Sequence, residues 1–438
     1  MAGPSLTHNS EILNFAGLKV LALCAGLLVS PALAQSPEMV GQRYQVLFED
    51  LPPPSAGTGA RNPPSIVQRG PEDTLQVPEG FEVNLYASGL AHPRWMTLAP
   101  NGDVFLAETR EGRITVLRDE DQDGIADRVE TFSSGYQRPH GLAFHDGFLY
   151  VADLQAVWRV PYVNGALSAR GREPITALGA LGAANGHWTR NIVFDPSGDY
   201  FYVAIGSRTN VNEEPAPRGS IQRFRIDGTE QTTFAGGLRN PVGIAFFPGT
   251  SDLFTVVNER DGYGDDLVPD YFTKVEEGAF YGWPYAYLGP HPDPVFGAIR
   301  PDLVAATRAP DLLFQAHSAP VGLTFYDGDK FPEVYRNGAF VTHRGSWNSD
   351  APTGYRVAFI PFEDGAPAGD YEVFATGFWR RGLETAEVWG RPAGLLVAAD
   401  GSLLVADDTS RSIWRITYVG TGSADMENTN PESPEEGE

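Results

Sequence analysis

Cysteine is almost absent from this chain, since Cys24 is the only one among its 438 residues. One cysteine can form no disulfide within the chain, and no C-x-x-C-H segment is present to attach a haem covalently. A disulfide-stabilised fold and a covalently bound haem are therefore excluded. If Cys24 is removed with the N-terminal leader described below, thiol catalysis is excluded as well.

Positive charge is also scarce. The chain has 32 Lys and Arg residues against 56 Asp and Glu residues, which gives a formal net charge of −24. This excess argues against a nucleic acid or an anionic membrane surface as a partner. An anionic ligand would need a local pocket of cations that overcomes the overall field. The apolar fraction of 42% and the 25 Phe residues indicate a globular chain with a sizeable core.

The N-terminal apolar run is too short to cross a bilayer, which takes about 18 to 20 apolar residues. It covers residues 20–34 after Lys19 and ends in a small-x-small pattern at Ala32-Leu33-Ala34. We expect residues 1–34 to be a secretory signal peptide cleaved after Ala34; the alternative is a short transmembrane anchor. The mature protein would then be periplasmic or secreted, without Cys24 and without membrane insertion.

Two further segments differ from the rest in composition. Residues 35–74 are rich in Pro, Gly and Ser and are typical of a linker or a wrapping arm. Residues 420–438 form an acidic tail, in which the last 18 residues hold six acids and no bases. Such a composition predicts a solvated, disordered tail. We expect the function to lie in residues 75–419.

Residues 75–419 contain a repeated pattern. Six segments share a turn at a small residue followed by a short apolar strand: NGDVFLAE (101–108), DGFLYVAD (146–153), SGDYFYVAIG (197–206), TSDLFTVVN (250–258), NGAFVTH (337–343) and DGSLLVAD (400–407). Short strands precede and follow most of them, bounded by Gly, Pro and Asp and without a helical period. The pattern predicts an all-β fold, a six-bladed β-propeller.

The spacing of the copies predicts two more features. FEVNLYASGL (81–90) resembles the outer strand at 371–378, so we expect it to complete the last blade and close the ring. The long interval between the fourth and fifth copies, residues 258–337, indicates an insertion of functional size.

In a propeller, the loop before each innermost strand opens on the central channel. Here these lead-in loops are rich in His and Arg: His92-Pro93-Arg94, Gln137-Arg138-Pro139-His140, His187 to Asn191, Arg239-Asn240, His317 to Pro320, and Arg391-Pro392. Any one of these residues could be a structural turn residue, but together they predict a cationic site. Because Arg binds carboxylates through two parallel hydrogen bonds, we expect a planar, carboxylated ligand.

Two acidic segments suggest calcium. The first fits the twelve-residue pattern D-x-D-x-D-G-x5-E, with its acids at Asp119, Asp121, Asp123, Asp127 and Glu130. It follows a strand, so it would be a calcium-binding hairpin; an acidic turn without metal is the alternative. The second is NERDGYGDDLVPDYF (258–272), whose acids and glycines also suit calcium.

The lead-in loops resemble those of the soluble glucose and sorbosone dehydrogenases that depend on pyrroloquinoline quinone (PQQ). The motifs are LRNPVGIAF (238–246), FYGWP (280–284), GHWTRNIVFDPSGD (186–199), and the RPHGLAF and GRPAGLL segments. The resemblance covers about residues 75–419 and is nearer to the sorbosone-type branch. It implies a propeller that oxidises an aldose, or a related aldehyde or alcohol, by hydride transfer to calcium-bound PQQ.

The resemblance also implies roles for individual residues. His187 would be the general base, and Arg239 with Asn240 would contact the quinone oxygens. The other implied cofactor contacts are Arg391, Gln137, His317 and, in the fifth blade, Arg344 or His343. The backbone carbonyls of Arg260 and Asp261 would hold the cofactor's calcium, and Asp270 with the Tyr281 carbonyl a structural one. Trp188 and Trp347 are candidate walls for a sugar ring, or simply buried aromatics.

The chain departs from the family pattern at three points: His317 replaces a small hydroxyl residue, Ala393 replaces a second arginine, and the spacing after Gln137 differs by one. Cofactor affinity could be lower for this reason. Electrons would leave to a separate acceptor, a cytochrome or the quinone pool, since the chain has no haem site. Two other interpretations stay open: a calcium-dependent lactonase-like propeller, and a propeller that binds a ligand without chemistry.

Overall fold

The computed structural model of the protein describes residues 37–54 and 59–421, and these residues form an all-β fold, as the sequence predicts. The expected signal peptide with Cys24, and residues 422–438 of the expected acidic tail, lie outside the described residues. Within the described part of the chain, no helix is both long and apolar enough to cross a membrane.

The described part of the chain begins with three strands that pair with strands much later in the sequence, and three antiparallel four-stranded sheets follow. The early strands are β1 (Arg43–Tyr44), β2 (Ser65–Ile66) and β3 (Phe81–Ala87). The first sheet comprises β4 (Pro93–Leu98), β5 (Val104–Glu108), β6 (Arg113–Arg118) and β7 (Arg128–Ser134). The second comprises β8 (Gly141–His145), β9 (Phe148–Ala152), β10 (Val157–Pro161) and β11 (Glu173–Pro174). The third comprises β12 (Arg190–Phe194), β13 (Tyr200–Ile205), β14 (Ser220–Arg225) and β15 (Thr232–Gly236).

The fourth sheet contains the predicted insertion. Its strands are β16 (Pro241–Phe246), β17 (Leu253–Val257) and β18 (Pro269–Val275), followed by a hairpin of β19 (Ala286–Tyr287) and β20 (His291–Pro292) and by the helix α1 (Pro301–Ala306). The outer strand β21 (Leu312–Ala316) then returns to pair with β18. The extra residues therefore lie mainly between the third and fourth strands of this sheet.

The last two sheets include strands from the N-terminal part of the chain. The fifth sheet comprises β22 (Pro320–Phe325), β23 (Ala339–His343), β24 (Arg356–Ile360) and β27 (Tyr371–Ala375), and β1 pairs with β27 on its outer edge. A short hairpin of β25 (Phe362–Glu363) and β26 (Ala366–Pro367) lies between β24 and β27 in the sequence. The short strands β28 (Trp379–Arg381) and β29 (Glu387–Val388) pair with each other, and β2 joins them. The final sheet comprises β30 (Pro392–Val397), β31 (Leu403–Asp407) and β32 (Ser412–Tyr418), with β3 on its outer edge.

The sheets surround a common axis. Their innermost strands β4, β8, β12, β16, β22 and β30 pack side by side in that order, and β30 packs against β4 to close the ring. The second strand of a sheet is covered on both faces by its neighbours, so β5, β17 and β31 are buried along their whole length and their sequences are almost entirely apolar. The predicted pairing of the 81–90 segment with the last repeat is confirmed, because β3 pairs with β32.

Glycine makes the close approach of the inner strands feasible. A Cβ atom added at Gly322 would lie 2.3 Å from the Ala393 carbonyl oxygen, and one added at Gly394 would lie 2.2 Å from the Arg94 carbonyl oxygen. Both atoms belong to the next inner strand of the ring. The glycine two residues after the Pro of each of these lead-in motifs is therefore a packing requirement around the axis.

The described part of residues 35–74 is fixed against the sheets. β1 pairs with β27, and the buried carboxylate of Glu38 forms an ion pair with the fully buried Arg356. Asn62 binds the segment that carries Trp347: its backbone N–H donates to the Trp347 carbonyl oxygen at 2.9 Å, and its side-chain amide donates to the Ser349 carbonyl oxygen at 3.1 Å. These contacts are those of a wrapping arm.

Candidate functional site

The lead-in loops enclose a cavity of about 590 Å³ at one end of the ring. Its lining contains three carboxylates, those of Glu259, Asp261 and Asp270. Against them stand six arginines: Arg94, Arg110, Arg138, Arg239, Arg344 and Arg391. A cationic cavity therefore lies within a strongly acidic protein, as the sequence predicts for the lead-in loops.

His187 is held in one tautomer at the wall of the cavity. Its Nδ1 lies 2.9 Å from the Ser207 carbonyl oxygen and 3.1 Å from Ser207 Oγ. A carbonyl oxygen can only accept, so Nδ1 carries the proton and Nε2 keeps its lone pair. Burial, with the nearby Arg239 guanidinium, lowers the pKa of His187 to about 3. The imidazole is therefore neutral at physiological pH and offers Nε2 as a proton acceptor.

Arg239 is oriented by three neighbours. Its guanidinium donates to the carbonyl and side-chain oxygens of Asn210 at 3.0 and 2.9 Å and to the Asn258 carbonyl oxygen at 3.2 Å, and it pairs with Asp261 at 3.2 Å. Asn210 had no signal in the sequence. It lies in an irregular segment between β13 and β14, and only the fold brings it to Arg239.

Asn240 presents a buried amide to the cavity. Its Oδ1 has no hydrogen-bond partner within the described residues. Gly206 leaves room for it, since a Cβ there would lie 2.2 Å from that oxygen. A buried polar atom without a partner is costly, so this amide is suited to a polar ligand.

Asp408 is the counter-ion of a second group of cations. It accepts from Arg344 Nε and Nη2 at 2.8 and 3.0 Å and from Arg94 Nη1 at 2.5 Å, and His92 Nε2 lies 3.5 Å away. Although burial opposes it, the charges of Arg344 and Arg94 hold the pKa of Asp408 far below its usual range. The sequence reasoning missed this residue; its signal is the doubled acid Asp407-Asp408 after the last repeat.

The guanidinium of Arg391 has no carboxylate partner within the described residues, although the Arg391 backbone N–H donates to Asp407 Oδ1 at 2.8 Å. Its guanidinium donates to the carbonyl oxygens of Arg344 and Gly345, at 2.9 and 2.5 Å. Burial, together with the charge of Arg344, lowers its pKa to about 9. An anion in the cavity would offset the cost of burying the Arg391 charge and its repulsion by Arg344. Arg391 is therefore well suited to bind a carboxylate.

His317 connects the cavity to the 258–272 segment. Its Nε2 lies 2.9 Å from the Gly264 carbonyl oxygen, its Nδ1 lies 3.5 Å from Asp261 Oδ1, and Asn348 Nδ2 lies 3.2 Å from the same Nδ1. Burial alone would lower the pKa of His317, but Asp261, the Gly264 carbonyl and Asp270 together raise it. His317 lines the cavity as an ordered, buried group.

At two of the predicted cofactor contacts, only one of two adjacent residues lines the cavity. Arg344 lines the cavity, whereas His343 is fully buried within its sheet, where its Nδ1 lies 3.1 Å from Arg356 Nε. Gln137 is exposed and does not line the cavity; the adjacent Arg138 does, with its guanidinium 5.8 Å from the Trp188 ring.

Three of the residues suggested for calcium near the cavity, Asp261, Asp270 and Tyr281, have hydrogen-bond partners within the protein. The Asp261 carbonyl oxygen accepts from Asn210 Nδ2 at 2.9 Å, and the fully buried Arg260 side chain pairs with Asp293. Asp270 is buried and accepts from the backbone N–H groups of Glu259 and Ala319, and burial raises its pKa to about 7. Tyr281 lies outside the cavity, with its hydroxyl donating to the Lys274 carbonyl oxygen at 2.6 Å.

The 119–130 loop brings part of its predicted ligand set together. Carboxylate oxygens of Asp119, Asp121 and Asp127 lie within 4.8 Å of one another, and Asp119 Oδ1 is buried without a hydrogen-bond partner among the described residues. Asp123 instead accepts from the Ile125 N–H at 2.8 Å. Glu130 lies in the exposed strand β7, outside this group.

Comparison with known proteins gives a family match. The profile of a family described as TrAA12-like matches residues 75–268 and 303–419. An uncharacterised protein of Borreliella burgdorferi is 27% identical over 364 residues, which cover 79% of this chain and 91% of that protein. A pyrroloquinoline quinone-dependent pyranose dehydrogenase of Coprinopsis cinerea is 23% identical, and the match covers 79% of this chain and 55% of that protein.

Solved structures share the fold. The holo form of the PQQ domain of the Coprinopsis cinerea pyranose dehydrogenase matches with a TM-score of 0.66 and 21% identity, over 81% of this chain and 99% of that chain. A calcium structure of a Trichoderma reesei carbohydrate-active enzyme of family AA12 matches with a TM-score of 0.65 and 19% identity, over 80% and 98% of the two chains. This chain has the all-β propeller fold of these neighbours.

Proposed function

The chain belongs to the TrAA12-like family, and from this premise we propose that it is a PQQ-dependent sugar dehydrogenase. It would oxidise an aldose, or a related aldehyde or alcohol, on a six-bladed propeller in which each of the four- and five-stranded sheets is one blade. Glucose- or sorbosone-type specificity, export to the periplasm or exterior, and electron transfer to a separate cytochrome or quinone pool are parts of the same proposal.

The main support for the proposal is that one cavity contains both a cluster of arginines and the neutral imidazole of His187. PQQ is a planar tricarboxylate, and the cavity offers it Arg239, Arg344 and Arg391, together with the unpartnered amide of Asn240. The residues present therefore fit the cofactor. When bound, PQQ supplies the quinone that accepts the hydride and thus both electrons from the substrate.

Side chains of the cavity accept the substrate proton and stabilise the charge that develops in the reaction. His187 Nε2 takes the proton of the substrate hydroxyl, while the Ser207 carbonyl oxygen keeps the ring in the required tautomer. Arg239, fixed by Asn210 and Asp261, holds a positive charge where negative charge develops. An anion bound to Arg239 would offset the charge that lowers the pKa of His187 and so make it a stronger base.

The proposal includes calcium at three places. One ion would bind beside the cavity at the carbonyl oxygens of Arg260 and Asp261, and a separate structural ion would bind in the region of Asp270 and the Tyr281 carbonyl. A third would bind at the hairpin of Asp119, Asp121 and Asp127, whose oxygen ligands suit Ca²⁺.

Reconstitution tests the proposal. The purified protein should bind PQQ in a titration and gain dye-linked dehydrogenase activity with aldoses when PQQ and Ca²⁺ are added. No binding of PQQ, and no activity with any sugar, would refute it. A lactonase-like hydrolase would instead open lactones without PQQ, and a binding module would bind its ligand with no turnover; the excess of arginines over carboxylates in the cavity disfavours the lactonase.

A further inference from the structure

Three arginines of the cavity have no ionic partner among the described residues: Arg391, which is assigned to the cofactor, and the exposed Arg110 and Arg138. Within the described residues, no carboxylate oxygen lies within 4.0 Å of the guanidinium of Arg110 or Arg138, whereas Arg94, Arg239 and Arg344 each pair with an aspartate. Both side chains are exposed and both line the cavity. Together with Arg391, they give this cavity unpaired positive charge in a protein whose net charge is −24.

The fold joins the two segments that carry these arginines. Thr109 Oγ1 donates to the Pro139 carbonyl oxygen at 2.9 Å, and the bond is buried. Arg110 follows Thr109 and Arg138 precedes Pro139, so this bond joins the two segments at the positions adjacent to the arginines. Arg138 also has a backbone φ of 54°, a strained conformation for a non-glycine residue.

An aromatic ring lies beside Arg138. The Trp188 ring has the guanidinium of Arg94 5.1 Å from its centroid and that of Arg138 5.8 Å away, and it packs edge-on against His140 at 5.6 Å. Trp188 follows His187, the proposed base. A sugar ring packed against the indole would lie in the cavity that His187 and both arginines also line.

We propose that the substrate is an anionic sugar, whose carboxylate or phosphate binds between Arg110 and Arg138 while its ring packs against Trp188. This inference rests on the proposed function. The arginines assigned to PQQ are Arg239, Arg344 and Arg391, which leaves this exposed pair for the substrate. For a uronic acid, the C1 hydroxyl loses its proton to His187, the C1 hydride passes to the bound quinone, and the product is the lactone; the carboxylate is unchanged.

The first experiment compares matched sugars on the reconstituted holoprotein. D-glucuronate and D-galacturonate should have a higher kcat/KM than D-glucose and D-galactose, by about tenfold or more, because hydrogen bonds between a guanidinium and a carboxylate are charge-assisted. The preference should fall as salt is added. Glucose 6-phosphate, assayed in parallel, distinguishes a carboxylate site from a phosphate site. Equal or better turnover of the neutral sugars would overturn the inference and leave the dehydrogenase function intact.

The second experiment uses variants. Arg110→Gln and Arg138→Gln should each reduce the preference for anionic over neutral sugars, and the double variant should abolish it. Arg170→Gln, which removes an exposed arginine outside the cavity lining, should leave the preference unchanged. If the variants instead slow reduction of a protein electron acceptor with every sugar, but not of a small dye, the pair is a docking site for that acceptor and the inference is wrong.

A binding measurement separates this inference from the proposed redox function. Methyl β-D-glucuronide has no free anomeric hydroxyl and so is not oxidised at C1. Calorimetry should detect its binding to the protein, and the Kd of methyl β-D-glucoside should be higher by about tenfold or more. The wild type could bind the glucuronide and the double variant fail to bind it, while no sugar is oxidised under any condition. That result would support the anion site and refute the dehydrogenase function. Equal binding of the two glycosides would overturn the anion site.

Discussion

Arg344 binds Asp408 through two nitrogens, Nε at 2.8 Å and Nη2 at 3.0 Å, at the wall of the central cavity. The same carboxylate accepts from the buried Arg94. One aspartate, directly after the last repeat, is therefore the shared counter-ion of two arginines from different parts of the ring, and it fixes the position of a guanidinium that faces the proposed cofactor.

Asp408→Asn should destabilise the protein, because it leaves Arg94 and Arg344 close together without their shared counter-ion. Removing one partner of a buried ion pair costs about 3–5 kcal/mol, so we expect the free energy of unfolding in urea to fall by that order. Asp329→Asn, which changes an exposed aspartate, is the matched control and should have little effect. Equal stability of the two variants would contradict the role of Asp408.

His187→Ala should retain the cofactor and lose turnover. General-base catalysis contributes about 10²- to 10⁴-fold, so kcat should fall by that order while the affinity measured by PQQ titration stays near the wild-type value. The site loses one imidazole and none of the arginines assigned to the cofactor carboxylates. Unchanged kcat would remove His187 from the mechanism.

The stability of the protein should depend on pH through His187. Its pKa in the folded state is about 3, below the ordinary value of 6.5, so the unfolded chain binds more protons between those pH values. The free energy of unfolding should therefore fall as pH decreases from 6.5, by about 1–3 kcal/mol at pH 4 from this group alone. His187→Gln should flatten this part of the pH profile of thermal unfolding. A profile as steep as that of the wild type would show that the histidine titrates normally.

Calcium should bind at the 119–130 hairpin. Added Ca²⁺ should raise the unfolding temperature, since a ligand at a hundred times its Kd stabilises a protein by about 2.7 kcal/mol. Asp121→Asn should reduce the number of bound Ca²⁺ ions by one in calorimetric titration, while Asp329→Asn should leave it unchanged. If both variants bind as many ions as the wild type, the hairpin is an acidic turn without metal.

The choice between His343 and Arg344 as the cofactor contact could not be made from the sequence. His343 and Arg344 are adjacent, and both are plausible cofactor contacts from the sequence. Successive residues of a strand point to opposite faces, so the choice depends on the register of β23 against β24, where His343 pairs with Arg356. The structure buries His343 in the sheet and leaves Arg344 at the cavity. Gln137 and Arg138 are also adjacent, and of the two only Arg138 lines the cavity.

The all-β repeat, the closing strand at 81–90 and the cationic lead-in loops could be predicted from the sequence. These are local patterns: alternation within short strands, glycine where inner strands approach, and His and Arg at fixed positions before each strand. The sequence does not show that Asp408 pairs with Arg94 and Arg344, that Asn210 orients Arg239, or that a bond from Thr109 to Pro139 joins the segments of Arg110 and Arg138. Each of these contacts joins residues of different sheets or loops, and their distances are set by the closure of the ring, which no local pattern encodes.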